Sequence, residues 1–195
     1  LVNYLPVGSQ KTTEFWAEIC LETGISFVNC IPVFIASDPA WEQRFIDAGI
    51  PLIGDDMRSQ FGASILSQML QELAFERGHH VKAHIQRNVG GNTDFLNMED
   101  KSRLASKKIS KENVIRAQND IRNISTEDSF LHAGPSEYIH YYGDNKVANF
   151  RLELEGFGGS PVIFDAQLSV QDSPNSAGVV IDAIRYLKVA RELGV

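Results

Sequence analysis

The alternation of short apolar runs with helical patterns over residues 1–56 constrains the fold more than any other feature of this sequence. "LVNYLP", the start of "ISFVNCIPVFI", and "IPLI" have the length and composition of strands. Helical patterns separate them, one over residues 13–23 and one that begins near Pro39, with Ser37 or Asp38 as its N-cap. A β-α-β-α-β order is typical of parallel strands joined by crossover helices. We therefore predict a parallel sheet here.

The apolar period changes to two after a long predicted helix over residues 59–78. Period two indicates a sheet with one covered face and one wetter face, and His84 and Gln86 fall on the wetter side. The alternating segments are residues 81–86, 150–155 and 162–170. "GFGGSP" joins the last two as an antiparallel hairpin, and a final helix starts at Asp172 or Ser173. The fold class predicted is a partial parallel α/β unit followed by an α+β unit with an antiparallel sheet.

Length, charge and cysteine content narrow the class of protein. A chain of 195 residues has room for one large core or two modest subdomains. Its formal net charge of −7 argues against nucleic acid as a partner, and no apolar run reaches the roughly 18 residues of a membrane span. Cys20 and Cys30 lack the spacing of a zinc site. We expect a cytoplasmic protein without membrane or nucleic-acid partners, and the first residue, inside a predicted strand, indicates a piece of something longer.

Two polar loops follow predicted strands, and the first lies at the carboxyl end of a predicted parallel strand, where ligands of open parallel sheets bind. "GDDMRSQ" offers Asp56 and Ser59 to a cofactor, unless one of them simply caps the next helix. "NVGGNTD" offers Asn88, Asn92 and Asp94 to hydroxyls, a phosphate or a metal ion, unless it is a turn held by Asx hydrogen bonds. The residues alone leave both alternatives open.

Lysines gather further along the chain. "SKKISK" places Lys107 and Lys111 four residues apart, where on one helix face they would repel unless an anion lay between them. A solvated charged face is the ordinary alternative. "GDNK" is predicted as a hairpin turn, with Lys146 opening a strand. The histidines lack the spacing of a metal site.

In this order the motifs resemble those of the myo-inositol-1-phosphate synthase family, also called inositol-3-phosphate synthases. The resemblance covers nearly the whole chain and is closer to the shorter bacterial and archaeal members. The motifs that carry it are "NYLPVGSQ", "FVNCIPVFIASDP", "IPLIGDDMRSQFGASI", "NVGGNTDFLNM", "SKKISK", "GDNKVA", "EGFGGSPV" and "QDSPNSAGVVIDAIRYLK".

The resemblance implies three regions: part of a Rossmann-type NAD domain over 1–56, a catalytic and tetramerisation domain over 57–172, and a helix over 173–195 that returns toward the NAD domain. It implies an NAD-dependent isomerase of inositol and phospholipid biosynthesis. D-glucose 6-phosphate would become myo-inositol phosphate by oxidation, enolisation, aldol closure and reduction. The implied partners are a sugar phosphate and further copies of the chain, as a dimer or tetramer. Besides NAD, a divalent metal or an ammonium ion is a further cofactor candidate.

The resemblance also assigns roles to single residues. Clustered ammonium groups would stabilise an enolate and alkoxides, and would lower one another's pKa toward a useful range. The catalytic residues it implies are Lys107, Lys111, Lys146 and Asp172. The substrate-binding residues are Asn88, Asn92, Asp94 and Asp144, with Asp94 also a candidate metal ligand. Asp56 and Ser59 match positions near the nicotinamide.

The sequence departs from the family pattern in two ways. Arg58 stands where the family often has lysine, and a guanidinium does not readily exchange a proton. The family's glycine-rich dinucleotide loop and a further C-terminal lysine have no counterpart here. Two other functions therefore stay open: a non-catalytic fragment that oligomerises and binds sugar phosphate, and an enzyme acting on another sugar phosphate.

Overall fold

A computed structural model describes residues 1–98 and 129–194 of the chain. The chain divides into two compact units, one formed by Leu1–Gln60 with Ser176–Val195 and the other by Phe61–Asn175. We call them unit 1 and unit 2. In the described residues, no helix is long and apolar enough to cross a membrane.

Unit 1 contains a three-stranded parallel sheet, which confirms the predicted β-α-β-α-β arrangement. The strands lie in the order β1-β2-β3, and both neighbouring pairs run parallel. Their bounds, and those of the two connecting helices, are β1 (Val2–Asn3), α1 (Gln10–Thr23), β2 (Phe27–Asn29), α2 (Pro39–Ala48) and β3 (Leu52–Ile53). The strands are shorter than the apolar runs that predicted them.

Helices cover both faces of this sheet. Phe27 of β2 packs with Ala17 of α1 and Phe45 of α2 in one core cluster. The next residue, Val28, points to the opposite face, as successive strand residues do. There it packs against Val180, Ala183 and Leu187 of the C-terminal helix. This helix spans Asp172–Leu193 and is called α5 here.

The start of α2 follows the expected capping chemistry. Asp38 accepts a hydrogen bond from the backbone nitrogen of Ala40 at 2.8 Å, and Pro39 occupies the first turn. Of the two predicted N-caps, Asp38 is therefore the one used.

Unit 2 is built on a four-stranded sheet in the order β5-β4-β6-β7. Its elements are α3 (Ala63–Glu76), β4 (His80–Gly90), α4 (Thr93–Asn97), β5 (Phe130–Tyr138), β6 (Asn145–Glu155) and β7 (Pro161–Gln171). β6 pairs antiparallel with both β4 and β7, and the turn at "GFGGSP" joins β6 to β7 as predicted. β5 runs parallel to β4, so the sheet is mixed rather than purely antiparallel. The long connection over residues 91–129 permits that parallel pairing.

The prediction of a hairpin at "GDNK" is wrong. β5 and β6 lie on opposite sides of β4, so the segment between them connects two strands that are not neighbours. A short 3-10 turn, His140–Tyr142, precedes Gly143, whose φ is 53°. The turn composition was correctly recognised, but a turn motif does not specify which strands pair. Lys146 does open the strand, as the second residue of β6.

The prediction that His84 and Gln86 lie on a wetter face of the sheet is also wrong. His84 and Gln86 are only 2% and 1% exposed. They lie beneath α3, which supplies Ser67 and Gln71 as hydrogen-bond partners. On the same sheet face, α3 covers the apolar side chains of β6 and β7. Polar side chains of β4 are buried because the helix above them carries matching polar groups.

Candidate active site

The glycine pair after β4 permits a close approach of two loops. A Cβ on Gly91 would lie 2.6 Å from the backbone nitrogen of Gly143, and closer still to the carbonyl oxygen of Ile139. A Cβ on Gly90 would meet the Phe95 ring at 2.5 Å. Only glycine therefore fits at both positions. As a result, the loop that carries Asn92 lies directly against the loop that precedes β6.

Asn92 has two tasks at the start of α4. Its Oδ1 accepts from the backbone nitrogens of Asp94 and Phe95, at 3.1 and 3.2 Å, and so caps the helix. Its Nδ2 donates to Asp172 Oδ2 at 3.2 Å. The Asx turn of the alternative interpretation is therefore present, and the same residue contacts Asp172. Its role in substrate binding stays a prediction. The cap fixes the carboxamide, which leaves its N–H groups directed at Asp172.

Lys146 and Asp172 form an ion pair beside the start of β6, where β7 runs into α5. Lys146 Nζ donates to Asp172 Oδ1, and the two side chains are only 13% and 18% exposed. Because Asn92 holds the other carboxylate oxygen, Asp172 is fixed by two donors. The structure thus brings together Asn92, Lys146 and Asp172, which lie far apart in the sequence.

Asp144 anchors the first turn of α5. Its carboxylate accepts from the Ser173 backbone nitrogen at 3.1 Å and from the Ser173 hydroxyl at 2.6 Å. Its carbonyl oxygen accepts from the Asp172 backbone nitrogen at 2.9 Å. A carboxylate at a helix N-terminus is stabilised by the free N–H groups there. Asp144 therefore positions Asp172 through the backbone.

Asn88, a predicted substrate-binding residue, is 3% exposed on β4. Its Oδ1 accepts from Gln86 Nε2 at 3.0 Å, and Gln86 is in turn bonded to Ser67. Burial lowers the pKa of the adjoining His84 to about 4, so its ring is neutral at neutral pH. Sequence reasoning missed Ser67, His84 and Gln86 as a group. The available signal was a polar residue at alternate strand positions, opposite a polar residue in an otherwise apolar helix.

In unit 1, Asp55 organises the loops after β2 and β3, although no sequence pattern singled it out. Its carboxylate accepts from the backbone nitrogens of Ile35, Ala36 and Ser37 at 3.0, 3.2 and 3.0 Å. Asn29 Nδ2 adds a fourth bond of 2.7 Å. Four donors on one carboxylate hold these two loops together.

Asp56 and Ser59 follow β3, and neither caps α3. The N-cap of α3 is Gly62, without a side-chain bond, so the capping alternative is wrong. Asp56 has a φ of 51°, and its backbone nitrogen bonds the Ile31 carbonyl at 3.1 Å. Both side chains are partly buried. A carboxylate and a hydroxyl that follow parallel strands lie where ligands of open parallel sheets bind.

The structure describes little of three further predicted site residues, Lys107, Lys111 and Asp94. Lys107 and Lys111 lie outside the described residues. Asp94 lies in the first turn of α4, where its backbone nitrogen bonds Asn92. Within residues 1–98 and 129–194, no group of three or more His, Cys, Asp or Glu side chains is placed to hold a metal ion.

The chain is similar to members of one protein family. The family model for myo-inositol-1-phosphate synthase matches residues 62–173. The inositol-3-phosphate synthase of Corynebacterium glutamicum is 48% identical over 197 residues, covering 100% of this chain and 54% of that protein. That of Mycobacterium tuberculosis is 48% identical over 195 residues, covering 100% and 52%. The crystal structure of Ari2 matches with a TM-score of 0.80 at 36% identity, covering 100% of this chain and 52% of that one.

The chain spans about half the length of the curated relatives it matches. The likeness to Ari2 covers all of this chain and supports its α/β fold class. The family model covers more than half of the chain, and it includes the loops that meet around Asn92, Lys146 and Asp172. The chain belongs to the myo-inositol-1-phosphate synthase family.

Proposed function

We propose that the protein containing this chain is an inositol-3-phosphate synthase that converts D-glucose 6-phosphate to myo-inositol phosphate with NAD. Membership of the family supports the proposal. The observation that carries it is the Lys146–Asp172 pair, which is largely shielded from solvent and braced by Asn92. This conversion develops negative charge on substrate oxygens, and a fixed ammonium group is suited to stabilise it.

Lys146 can serve the substrate without leaving Asp172. An ammonium group has three N–H donors, and the bond to Asp172 Oδ1 uses one of them. The other two can donate to a phosphate, enolate or alkoxide oxygen. Since the lysine is only 13% exposed, such an interaction is screened less than one at the surface.

Asp172 and Asn92 keep the ammonium group in place. Asp172 accepts from both residues through different oxygens, so its carboxylate cannot rotate without breaking a bond. Asp144 holds the backbone of the same turn. Groups fixed before the substrate arrives need no reorganisation during the reaction, which is how preorganised electrostatic sites accelerate it.

The proposal includes Lys107 and Lys111 as further ammonium groups, and Asn88, Asn92, Asp94 and Asp144 as substrate-binding or orienting residues. When bound, NAD supplies the hydride acceptor and donor for the internal oxidation and reduction. We assign its nicotinamide end to Asp56 and Ser59 of unit 1. We further propose a cytoplasmic homo-oligomer, a dimer or tetramer, and a monomer in light scattering would contradict that part.

The test is formation of inositol phosphate from D-glucose 6-phosphate and NAD by the protein that contains this chain. We expect product from the wild type and a rate lower by about 100-fold or more for Lys146→Met, since loss of one fixed donor costs about that much. Lys82→Met is the matched control, because Lys82 pairs with Glu155 at the surface, where the side chains are 48% and 43% exposed. Absence of product from the wild type would refute the function. A wild-type rate for Lys146→Met would refute the role given to Lys146.

A further inference from the structure

A row of polar side chains is buried between α3 and β4. His84, Gln86 and Asn88 occupy alternate positions of β4 and are 2%, 1% and 3% exposed. Ser67 and Gln71 face them from successive turns of α3 and are 0% and 2% exposed. Polar groups this deeply buried are stable only when they are hydrogen-bonded. Their arrangement is therefore specified by the bonds among them.

Hydrogen bonds connect each of these side chains to the next, from Gln71 at one end to Asn88 at the other. His84 Nε2 lies 2.9 Å from Ser67 Oγ, and Gln71 Oε1 lies 2.9 Å from His84 Nδ1. Ser67 Oγ donates to Gln86 Oε1 at 2.8 Å. Gln86 Nε2 donates to Asn88 Oδ1 at 3.0 Å. We call these five residues the buried hydrogen-bond chain, which ends at Asn88.

The order of donors is consistent with a neutral His84. Protonated on Nε2, the ring donates to Ser67, whose hydroxyl is then free to donate to Gln86. With Nε2 protonated, the neutral ring has Nδ1 as an acceptor, so the Gln71 carboxamide must present its nitrogen there, turned by half a turn from the orientation in which Oε1 faces Nδ1. Donors therefore point from His84 toward Asn88 at each step.

At the end of this chain, the orientation of Asn88 is determined. Its Oδ1 is occupied by Gln86, so its Nδ2 is directed away from the chain. Among the hydrogen bonds of the described residues, none uses Asn88 Nδ2. Asn88 thus retains a donor that no residue in 1–98 or 129–194 accepts. That donor is suited to a ligand oxygen.

Asn88 also shares a sheet face with Lys146. Asn88 pairs with Ala148, and Gly90 pairs with Lys146, in the regular part of the β4–β6 ladder. Residues directly opposite each other project from the same face, which places Asn88 and Lys146 diagonally on it. Diagonal neighbours are roughly 7–8 Å apart, within reach of a long side chain or a small ligand.

We propose that Gln86 is a positioning residue for substrate binding: it makes Asn88 present an N–H donor, rather than a carbonyl, to an oxygen of the sugar phosphate. His84 and Ser67 fix Gln86 from the other side. The inference rests on the proposed function, because it assumes that a sugar phosphate binds beside Lys146. To that function it adds two things: a residue, Gln86, that acts without touching the substrate, and the direction of the hydrogen bond between Asn88 and the substrate.

The test compares Gln86→Met with Gln71→Met. Both replace a buried carboxamide by an apolar side chain of similar shape and break bonds of the same chain, but only Gln86 contacts Asn88. The first measurement is the Kd for D-glucose 6-phosphate. The second is the side-chain NH₂ resonance of Asn88 in ¹⁵N NMR without ligand, identified by its loss in Asn88→Asp. Ser67→Ala, which cuts the chain one bond earlier, replaces Gln86→Met should that variant not fold.

We expect Gln86→Met to raise the Kd about tenfold, the effect of one misplaced hydrogen bond, and to shift the Asn88 resonance. We expect Gln71→Met to lose comparable stability but to keep the Kd within about twofold of the wild type, since its bond within the buried hydrogen-bond chain is to His84. Equal binding by the two variants, or an unshifted Asn88 resonance in Gln86→Met, would overturn the inference. If the wild type does not bind glucose 6-phosphate, the proposed function fails, and the resonance alone still decides whether Gln86 orients Asn88.

Discussion

Gly91→Ala tests whether the close approach of two loops creates the site in unit 2. The added Cβ would lie 2.6 Å from the Gly143 backbone nitrogen, whereas ordinary contact begins at 3.4 Å. The overlap would lie between the loop that carries Asn92 and the segment before β6. Because the obstructing atoms belong to the backbone, no side-chain rotation relieves the overlap. To restore ordinary contact, the segments must separate by about 0.8 Å at the Gly143 nitrogen and by more at the Ile139 carbonyl oxygen, so about 0.8 Å is the minimum displacement.

Overpacking of this kind costs roughly 1–3 kcal/mol, and the upper end is expected where backbone must move. For a chain of this size, about 3 kcal/mol lowers Tm by roughly 6–12 °C. The same displacement moves Asn92 and Asp144, the neighbours of the two glycines, away from Asp172. We therefore expect Gly91→Ala to lose both stability in calorimetry and affinity for glucose 6-phosphate.

Gly156→Ala is the control. It lies in the β6–β7 turn at a φ of −96°, and its nearest obstacle is the movable Ser160 hydroxyl at 3.2 Å. Its free energy of unfolding should stay within about 0.5 kcal/mol of the wild type. If Gly91→Ala kept the wild-type Tm, the reasoning that these loops meet at a position only glycine can occupy would be refuted.

Two further predictions concern stability. Burial lowers the folded-state pKa of His84 from 6.5 to about 4, so on acidification the unfolded state binds a proton before the folded state does. Neutral His84 therefore contributes about 3 kcal/mol to the free energy of unfolding, fully above pH 6.5, and this contribution is lost as the pH falls through 4. Urea unfolding between pH 7 and 4 should show this loss in the wild type and in exposed His80→Gln but not in His84→Gln, and parallel curves for all three would contradict it. Asp55→Asn should destabilise unit 1 by about 2–3 kcal/mol, because a neutral carboxamide replaces a carboxylate that accepts four bonds. Asp47→Asn, at an exposed position, should change it by less than about 0.5 kcal/mol, and equal effects in chemical denaturation would count against the role of Asp55.

The sequence predicted those parts of the fold that depend on neighbouring residues. The parallel β-α-β-α-β order, a cap at Ser37 or Asp38 and the hairpin at "GFGGSP" follow from local period and turn chemistry, and the structure shows that Asp38 is the cap. The parallel pairing of β5 with β4 does not, because it joins segments separated by residues 91–129. The burial of His84 depends on the polar residues of α3, which the strand pattern cannot reveal.

In the candidate site, too, local features could be predicted from the sequence and contacts between distant residues could not. Spacing identified Asn92 as both a turn residue and a binding candidate, and the structure shows it capping α4 while it bonds Asp172. Only the resemblance to the family predicted that Lys146 and Asp172 belong to one site, because 26 positions separate them in the sequence. Asp55 and Asp56 are adjacent and chemically identical, so sequence could not tell the loop-bracing carboxylate from its neighbour.

The central claim is that unit 2 holds a sugar phosphate against Lys146, Asp172 and Asn92. Its most direct test is titration calorimetry of the chain with D-glucose 6-phosphate, for the wild type and for Asn92→Asp. The aspartate can still cap α4, but it replaces the donor to Asp172 with a second negative charge. We predict binding by the wild type and a Kd at least about tenfold higher for Asn92→Asp. Equal affinity of the two proteins, or no binding by the wild type, would contradict the claim.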